Sequence, residues 1–444
     1  MKQRAESREQ RAENKIKNSV KSRKLGNLVI KNAAELVTCS GFAAKRGGEM
    51  SDLHVIPDGA IVIADGIIRG AGRTEEIIRN LDGENYEVID ASGKAVLPGF
   101  VDSHTHFVFG GYRAEEFSWR LQGMSYMDIM AQGGGIASTV EATRKATKEE
   151  LVALGKKRLD SMLTFGVTTV EGKSGYGLDY DTELKQLVVM GELDAAHPVD
   201  IVRTFLGAHA VPPEYRGNEE GFIRYLVQDV LPDVASRKLA EFCDIFCEKG
   251  VFSINQSRRL LKNARSFGLQ LKIHADEITP LGGTELAVEL GAISADHLLH
   301  ASDNGIRGMA QAGTVATLLP ATAFSLKEPY ARARYMIDNG CAVALATDFN
   351  PGSCFSESIP LLFSLATIYM GMTPEESVSA LTINGAAAIG REKSIGSLDA
   401  GKAGDVVLIE FPSYRFIPYH IGVNCVETVV KNGRVVVDRN ENRG

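Results

Sequence analysis

PGFVDSHTHFVFGGYR, residues 98–113, continues an apolar run (Ala95, Val96, Leu97, then Phe100 and Val101) and carries His104 and His106 two positions apart. In an extended strand, residues at i and i+2 face the same side, so two imidazoles placed this way can chelate one cation. Alone, a His-x-His pair is a weak signal, because a strand end also carries two histidines for ordinary hydrogen-bonding reasons. It gains weight if the strand is part of a parallel barrel, whose C-terminal strand ends face the active site.

Downstream, strand-like and helix-like stretches alternate, as parallel βα units do. Strands are expected at 95–102, 167–171, 200–206, 242–247, 271–274, 295–297, 314–318 and 342–347, with helices such as 148–165, 181–196, 254–266, 284–290 and 331–339 between them. Eight such units make a (β/α)8 TIM barrel of the α/β class. Outside this region the texture changes. Short β-branched runs at 28–30, 60–64 and 67–69 are separated by Asp58-Gly59 and Asp65-Gly66, both hairpin signals. The C-terminal end returns to the same texture at 405–410, 426–430 and 434–437. The expected architecture is a barrel over 98–395 inserted into a small β-sandwich-like domain built from both termini, 28–97 and 396–444.

With 444 residues, 44% of them hydrophobic, the chain can fill a large catalytic domain and a smaller one. The formal net charge of -7 offers no electrostatic reason for a nucleic-acid partner. No apolar run approaches the length of a transmembrane helix. Cys39, Cys243, Cys247, Cys341, Cys354 and Cys425 form no CxxC pair and read as reduced thiols of a cytoplasmic protein. Residues 1–24 hold nine Lys/Arg against three Glu and no apolar segment. They are not a secretory signal, and a basic disordered tail over 1–27 is expected.

The expected strand tops form a ring of polar residues. His104 and His106 follow the first strand; Glu171, Lys173 and Tyr176 (EGKSGYGL) the second; His209 (GAHAVP) the third. The fifth ends in His274-Ala275-Asp276-Glu277, the sixth in Asp296-His297, and the eighth in Asp348-Phe349-Asn350-Pro351-Gly352-Ser353. His104, His106, His274 and Asp348 offer three imidazole nitrogens and a carboxylate, a set suited to one zinc or iron ion. A cation there would acidify a water from a pKa of about 15.7 toward 7. The glycine cluster GGGIAST, 133–139, lacks the Gly-Lys-Ser/Thr ending of a phosphate loop and is read as an active-site loop near Tyr126.

VDSHTH, HADE and TDFNPG together resemble the amidohydrolase superfamily; FGGYRAEEF, EGKSGYGL, GAHAVP, CEKGVFS and LATDFNPGS resemble its imidazolonepropionase family in particular, from about residue 28 onward. The resemblance implies hydrolysis of the cyclic amide of 4-imidazolone-5-propanoate to N-formimidoyl-L-glutamate in histidine degradation. It implies one divalent or trivalent metal, Zn or Fe, on the four residues above, and a homodimer with no nucleic-acid or membrane partner. Glu277 would shuttle protons and touch substrate. His297 would hydrogen-bond the carbonyl or the water, and Asp348 would be both ligand and candidate base. Arg113 would anchor the propionate, since its planar fork suits a carboxylate better than lysine does. Tyr176, His209, Asn350, Gly352, Ser353 and Tyr126 would complete the substrate site. Binuclear relatives carry a carbamylated lysine on strand four, where this chain has none before Lys249, so a single metal is expected. The alternative within the superfamily is a mononuclear aminohydrolase of the purine or pyrimidine deaminase type, which shares the His-x-x-Glu element but has no need of an arginine anchor. A non-catalytic scaffold would be expected to have lost ligands, and none is missing.

Overall fold

The computed structural model describes residues 25–81, 85–124, 128 and 134–439; residues 1–24 of the basic tail, and Tyr126, lie outside the described residues. Two eight-stranded sheets organise the chain. β1 (Leu28–Val37), β2 (Val55–Ala64), β3 (Ile67–Arg73), β4 (Glu87–Asp90) and β5 (Ala95–Pro98) precede the barrel strands β6 (Phe100–Thr105), β7 (Val167–Lys173), β8 (Asp200–Ala208), β9 (Phe242–Cys247), β10 (Gln270–Ala275), β11 (Ser294–His297), β12 (Val315–Leu318) and β13 (Val343–Leu345). β14 (Val406–Ile409), β15 (Val426–Lys431) and β16 (Arg434–Asp438) return to the first sheet.

From β6 to β13 each barrel strand pairs in parallel with the next. The ring is closed by a short seam. Asp348 N–H donates to His104 O at 3.0 Å and His106 N–H to Phe349 O at 2.9 Å. Just below, the Asp102 carboxylate accepts from Thr347 N–H at 3.0 Å and the Thr347 hydroxyl at 2.6 Å. Three of the four expected ligands are thus brought together by barrel closure itself. Helices start where local chemistry starts them: before Lys148–Thr164, Thr147 and Glu150 form a reciprocal capping box, as do Ser253 and Gln256 before Ile254–Ser266.

The expected first strand, 95–102, is in fact two. Ala95–Pro98 pairs with β14 and β1 in the terminal sheet, and Phe100–Thr105 begins the barrel. Gly99 is the joint. A Cβ there would lie 2.3 Å from Thr168 Oγ1 and 2.9 Å from Thr168 Cβ, and its N–H donates to Asp405 O at 2.9 Å. Both halves are fully buried, so their apolar pattern runs on unbroken across the change of sheet. Gly99→Ala is expected to destabilise the protein by about 1–3 kcal/mol through overpacking, read as a lower urea midpoint at unchanged slope.

Asp65-Gly66 makes the expected two-residue reversal between β2 and β3, both residues having positive φ (51° and 73°). Asp58-Gly59 does not. It lies inside β2 opposite a bulge in β1, where Asn32 (φ 60°) and Asp58 (φ 48°) kink two long strands together. The terminal sheet is also a single sheet, in the order β16-β15-β14-β5-β1-β2-β3 with β4 on β1, rather than a sandwich of two. Its hairpin tips meet: Gly26 N–H donates to Asn432 O, Gly66 N–H to Gly26 O, Gly404 N–H to Gly66 O and Gly433 N–H to Gly404 O. The sheet therefore curls on itself and encloses Leu28, Ile30, Ile61, Ile63, Val406 and Val430. Among the described residues no helix is long and apolar enough to cross a membrane.

Candidate active site

The upper ends of β6, β10, β11 and the residues after β13 converge on one point. Asp348 Oδ1 lies 3.6 Å from His104 Nε2 and 3.5 Å from His106 Nε2, and the Thr322 hydroxyl donates to the other Asp348 oxygen at 2.7 Å. The His274 ring centroid is 4.6 Å from that of His104 and 5.0 Å from that of His297. Ligand atoms within 4.8 Å of one another group as His104–His106–Asp348, His104–His274–His297 and His106–His209–His274. His209 and His297, expected to touch substrate or water, are therefore also within ligating range. His297 (φ 76°), Leu298 (φ 63°), Asp276 (φ 50°) and Asp348 (φ 51°) hold left-handed backbone, a cost of about 1–3 kcal/mol each that clusters at functional sites.

The donor set fits a cation. His104 Nε2, His274 Nε2 and both ring nitrogens of His297 are buried without a hydrogen-bond partner among the described residues, a state that is expensive unless something else fills it. Burial holds His104, His106 and His297 well below the usual histidine range, so they are neutral, the form that coordinates metals. Burial alone would lower His274 too, but the Asp244 carboxylate turns its shift upward. Asp348 is pushed up to about 6 by burial, a penalty that a neighbouring cation would relieve.

Behind the histidines lies a charged layer to which the sequence reading gave no role, although it placed Glu171, Lys173 and Asp296 at strand tops. His104 Nδ1–H donates to Asp296 Oδ2 at 2.7 Å. His274 Nδ1 lies 2.9 Å from Asp244 Oδ2, at ion-pair distance though off the hydrogen-bond axis. Lys173 Nζ is 2.8 Å from Asp244 Oδ2, 3.0 Å from Glu171 Oε1 and 3.5 Å from Asp296 Oδ2. Lys272 Nζ is 3.2 Å from Glu171 Oε2 and 3.7 Å from Asp296 Oδ2. All five of these charged side chains are fully buried. The available signal was a charge within a short apolar strand, Asp244 in FCDIFC and Lys272 in QLKIHA.

Above this floor is a cavity of about 480 Å³ lined by His106, Arg113, Tyr176, His209, His274, Glu277, His297, Asp348, Asn350, Gly352 and Ser353. Of the expected site residues among those described, only His104 is not in its lining. Glu277 Oε1 lies 3.5 Å from His297 Nδ1, and burial, followed by the charge of Asp348, pushes its carboxyl up to about 8. Its backbone is gripped on both sides. Asp276 accepts the N–H groups of Gly282, Gly283 and Thr284, and Glu248 of the CEKG stretch accepts those of Ile278 and Thr279. Glu183 does the same for the Tyr176 loop, accepting from Gly175, Gly177 and Leu178. His209 Nδ1–H donates to Gly175 O at 3.1 Å, and its ring stacks on His106.

Arg113 Nε donates to Glu116 Oε2 at 2.7 Å, and its guanidinium covers Gly352, where a Cβ would lie 2.1 Å from Nη1. Asn350 spends its amide on its own loop: Oδ1 accepts from Gly352 and Ser353 N–H, and Nδ2 donates to Asp348 O and Ser353 Oγ. It shapes the loop rather than turning a free amide to the cavity. Glu116, Arg120 and Ile136 line the cavity as well and were not anticipated. The expected loop over GGGIAST is a helix in its second half, Ile136–Lys145, which starts after Gly135 at φ 79°. Glu116 tethers that start, accepting from Gly135 N–H and the Ser138 hydroxyl.

Comparison with known proteins agrees with this geometry. The chain is 63% identical over 413 residues to imidazolonepropionase of Clostridium tetani, covering 93% of this chain and 99% of the relative. It is 61% identical over 408 residues to that of Parabacteroides distasonis, covering 92% and 98%. Two solved structures share the fold at low identity. An adenosine deaminase from Xanthomonas campestris with bound zinc matches at TM-score 0.68 and 17% identity over 94% of each chain. A triazine hydrolase variant matches at TM-score 0.73 and 16% identity over 93% of this chain and 95% of its own. Residues 95–436 match the amidohydrolase family, and the chain belongs to that family, in its imidazolonepropionase branch.

Proposed function

We propose that this enzyme hydrolyses the ring amide of 4-imidazolone-5-propanoate to N-formimidoyl-L-glutamate, a step of histidine degradation. The observation that carries the reading is one cavity holding both a cluster of imidazoles with Asp348 and, on its wall, an arginine fork. His104, His106, His274 and Asp348 would hold a single zinc or iron ion. When bound, the ion supplies Lewis acidity toward the attacking water and the ring carbonyl. Water oxygen bonds to the ring carbonyl carbon, the C–N bond breaks, and the leaving nitrogen must gain a proton. Glu277 takes the proton that water loses and returns it to that nitrogen. A carboxyl lifted by burial toward neutrality can do both, and a nearby positive charge would draw it closer still. His297, whose ring nitrogens have no hydrogen-bond partner among the described residues, hydrogen-bonds the carbonyl oxygen. Asp348 serves as a ligand, and as the candidate base it is the alternative to Glu277 for receiving that proton. Arg113, oriented through Nε by Glu116, turns its remaining donors to the propionate, flanked by Tyr176 and His209, with Gly352 and Ser353 beneath. Tyr126 completes this set in the reading. The enzyme is taken to be a cytoplasmic homodimer, and its six buried, unpaired cysteines suit the compartment.

A purine or pyrimidine aminohydrolase would use the same floor, but a neutral base offers Arg113 nothing to bind. The test is turnover of 4-imidazolone-5-propanoate by the purified protein alongside elemental analysis, repeated with Arg113→Ala. Truncating one partner of a desolvated charge pair costs about 2–5 kcal/mol, so KM should rise by about 30-fold or more at unchanged metal content. An unaltered KM removes Arg113 from the account.

A further inference from the structure

Lys173 is placed as no simple structural lysine needs to be. An ammonium has three donors, and Lys173 faces three acceptors, Asp244 Oδ2, Glu171 Oε1 and Asp296 Oδ2. Two of these atoms are already in use. Asp296 Oδ2 is the oxygen that receives His104 Nδ1–H, and Asp244 Oδ2 is the oxygen beside His274 Nδ1. A single buried side chain from β7 therefore joins the outer partner of a β6 histidine to the outer partner of a β10 histidine.

Resting on the ligand assignment above, we propose that Lys173 is a positioning residue for the metal centre: through Asp296 and Asp244 it locks the rings of His104 and His274 in one mutual orientation before an ion arrives. Its own charge opposes a cation, so positioning and plain electrostatics predict opposite results when it is removed. Coulomb's law alone says that deleting a buried positive charge this close tightens cation binding. Loss of orientation says that two ligands come loose and binding weakens.

The experiment compares zinc transfer from the loaded enzyme to a chromophoric chelator in wild type, Lys173→Met and Lys431→Met. Lys431 is the control. It too is buried and lies between two carboxylates, 2.6 Å from Asp200 Oδ2 and 2.5 Å from Asp405 Oδ2, but in the terminal sheet. Both variants are expected to lose thermal stability. Only Lys173→Met should lose zinc affinity, by about 10–100-fold, the usual effect of disturbing partners of metal ligands. Unchanged or tighter binding in Lys173→Met, or an equal loss in Lys431→Met, overturns the proposal. If Lys173→Met does not fold, Asp296→Asn carries the test with the same expected fall, and unchanged affinity there overturns it equally. His106→Ala separates the two levels, because His106 touches none of these carboxylates. Zinc lost there but retained in Lys173→Met sinks the positioning role alone. Zinc held as tightly in His106→Ala as in wild type sinks the ligand assignment and the proposal with it.

Discussion

His274→Ala should fold, retain no ion after dialysis, and lose about 10⁴-fold in kcat/KM. His274 is the residue to choose because it belongs to two groupings of ligand atoms, with His104 and His297 and with His106 and His209. Its removal leaves Asp244 still paired with Lys173, so no buried carboxylate is stranded. The magnitude follows from a Lewis-acid contribution of several kcal/mol, at roughly tenfold in rate per 1.4 kcal/mol. Chelator treatment of the wild type should reproduce the loss, and added zinc or iron should reverse it there but not in the variant. A variant that keeps both its metal and its rate would place the chemistry elsewhere in the molecule.

Glu277→Gln should lower kcat by about 10²–10⁴-fold, the usual worth of a positioned general acid–base, while KM and metal content stay near wild type. The substitution is nearly isosteric, and the loop is gripped through Asp276 and Glu248 rather than through the Glu277 side chain, so the backbone should not move. A glutamine cannot accept water's proton or pass one to the leaving nitrogen. The ionisation belonging to Glu277 should also vanish from the pH profile. Near-normal kcat in the glutamine variant would transfer the proton traffic to His297 or Asp348.

Much of the fold was legible because parallel barrel strands are short apolar runs divided by amphipathic helices, and eight such runs could be counted. The histidines and acids at their ends followed from that count. Illegible were features that depend on which neighbour a residue meets. Gly99 separates two sheets, yet Leu97 and Phe100 on either side of it are both buried, so hydrophobicity does not register the joint. Asp58-Gly59 has the composition of a turn, and only its pairing opposite the β1 bulge shows that it bends a strand instead. Lys173 could be excluded as a strand-four lysine from its position in the chain. That Asp244 turns inward to meet it, and Lys272 to meet Glu171 and Asp296, depends on how the strands are staggered around the barrel, which periodicity along one strand does not reveal. Arg113 was found through the company it keeps in the chain, whereas Glu116, which orients it, looked like one more acid in a helix's first turn.

The closing seam bears on how the enzyme comes into being. Asp102 and Thr347, which join its two sides, are 245 residues apart in the chain. Contacts of such long range form late, after most of the loop-closure entropy has been lost. During synthesis the two β6 histidines emerge long before their carboxylate partner, and a half-made chain has only a two-imidazole hook with which to catch stray metal. In the proposed ligand assignment the complete claw exists only when the last barrel strand has docked against the first, so tight capture of an ion would certify that the ring has closed.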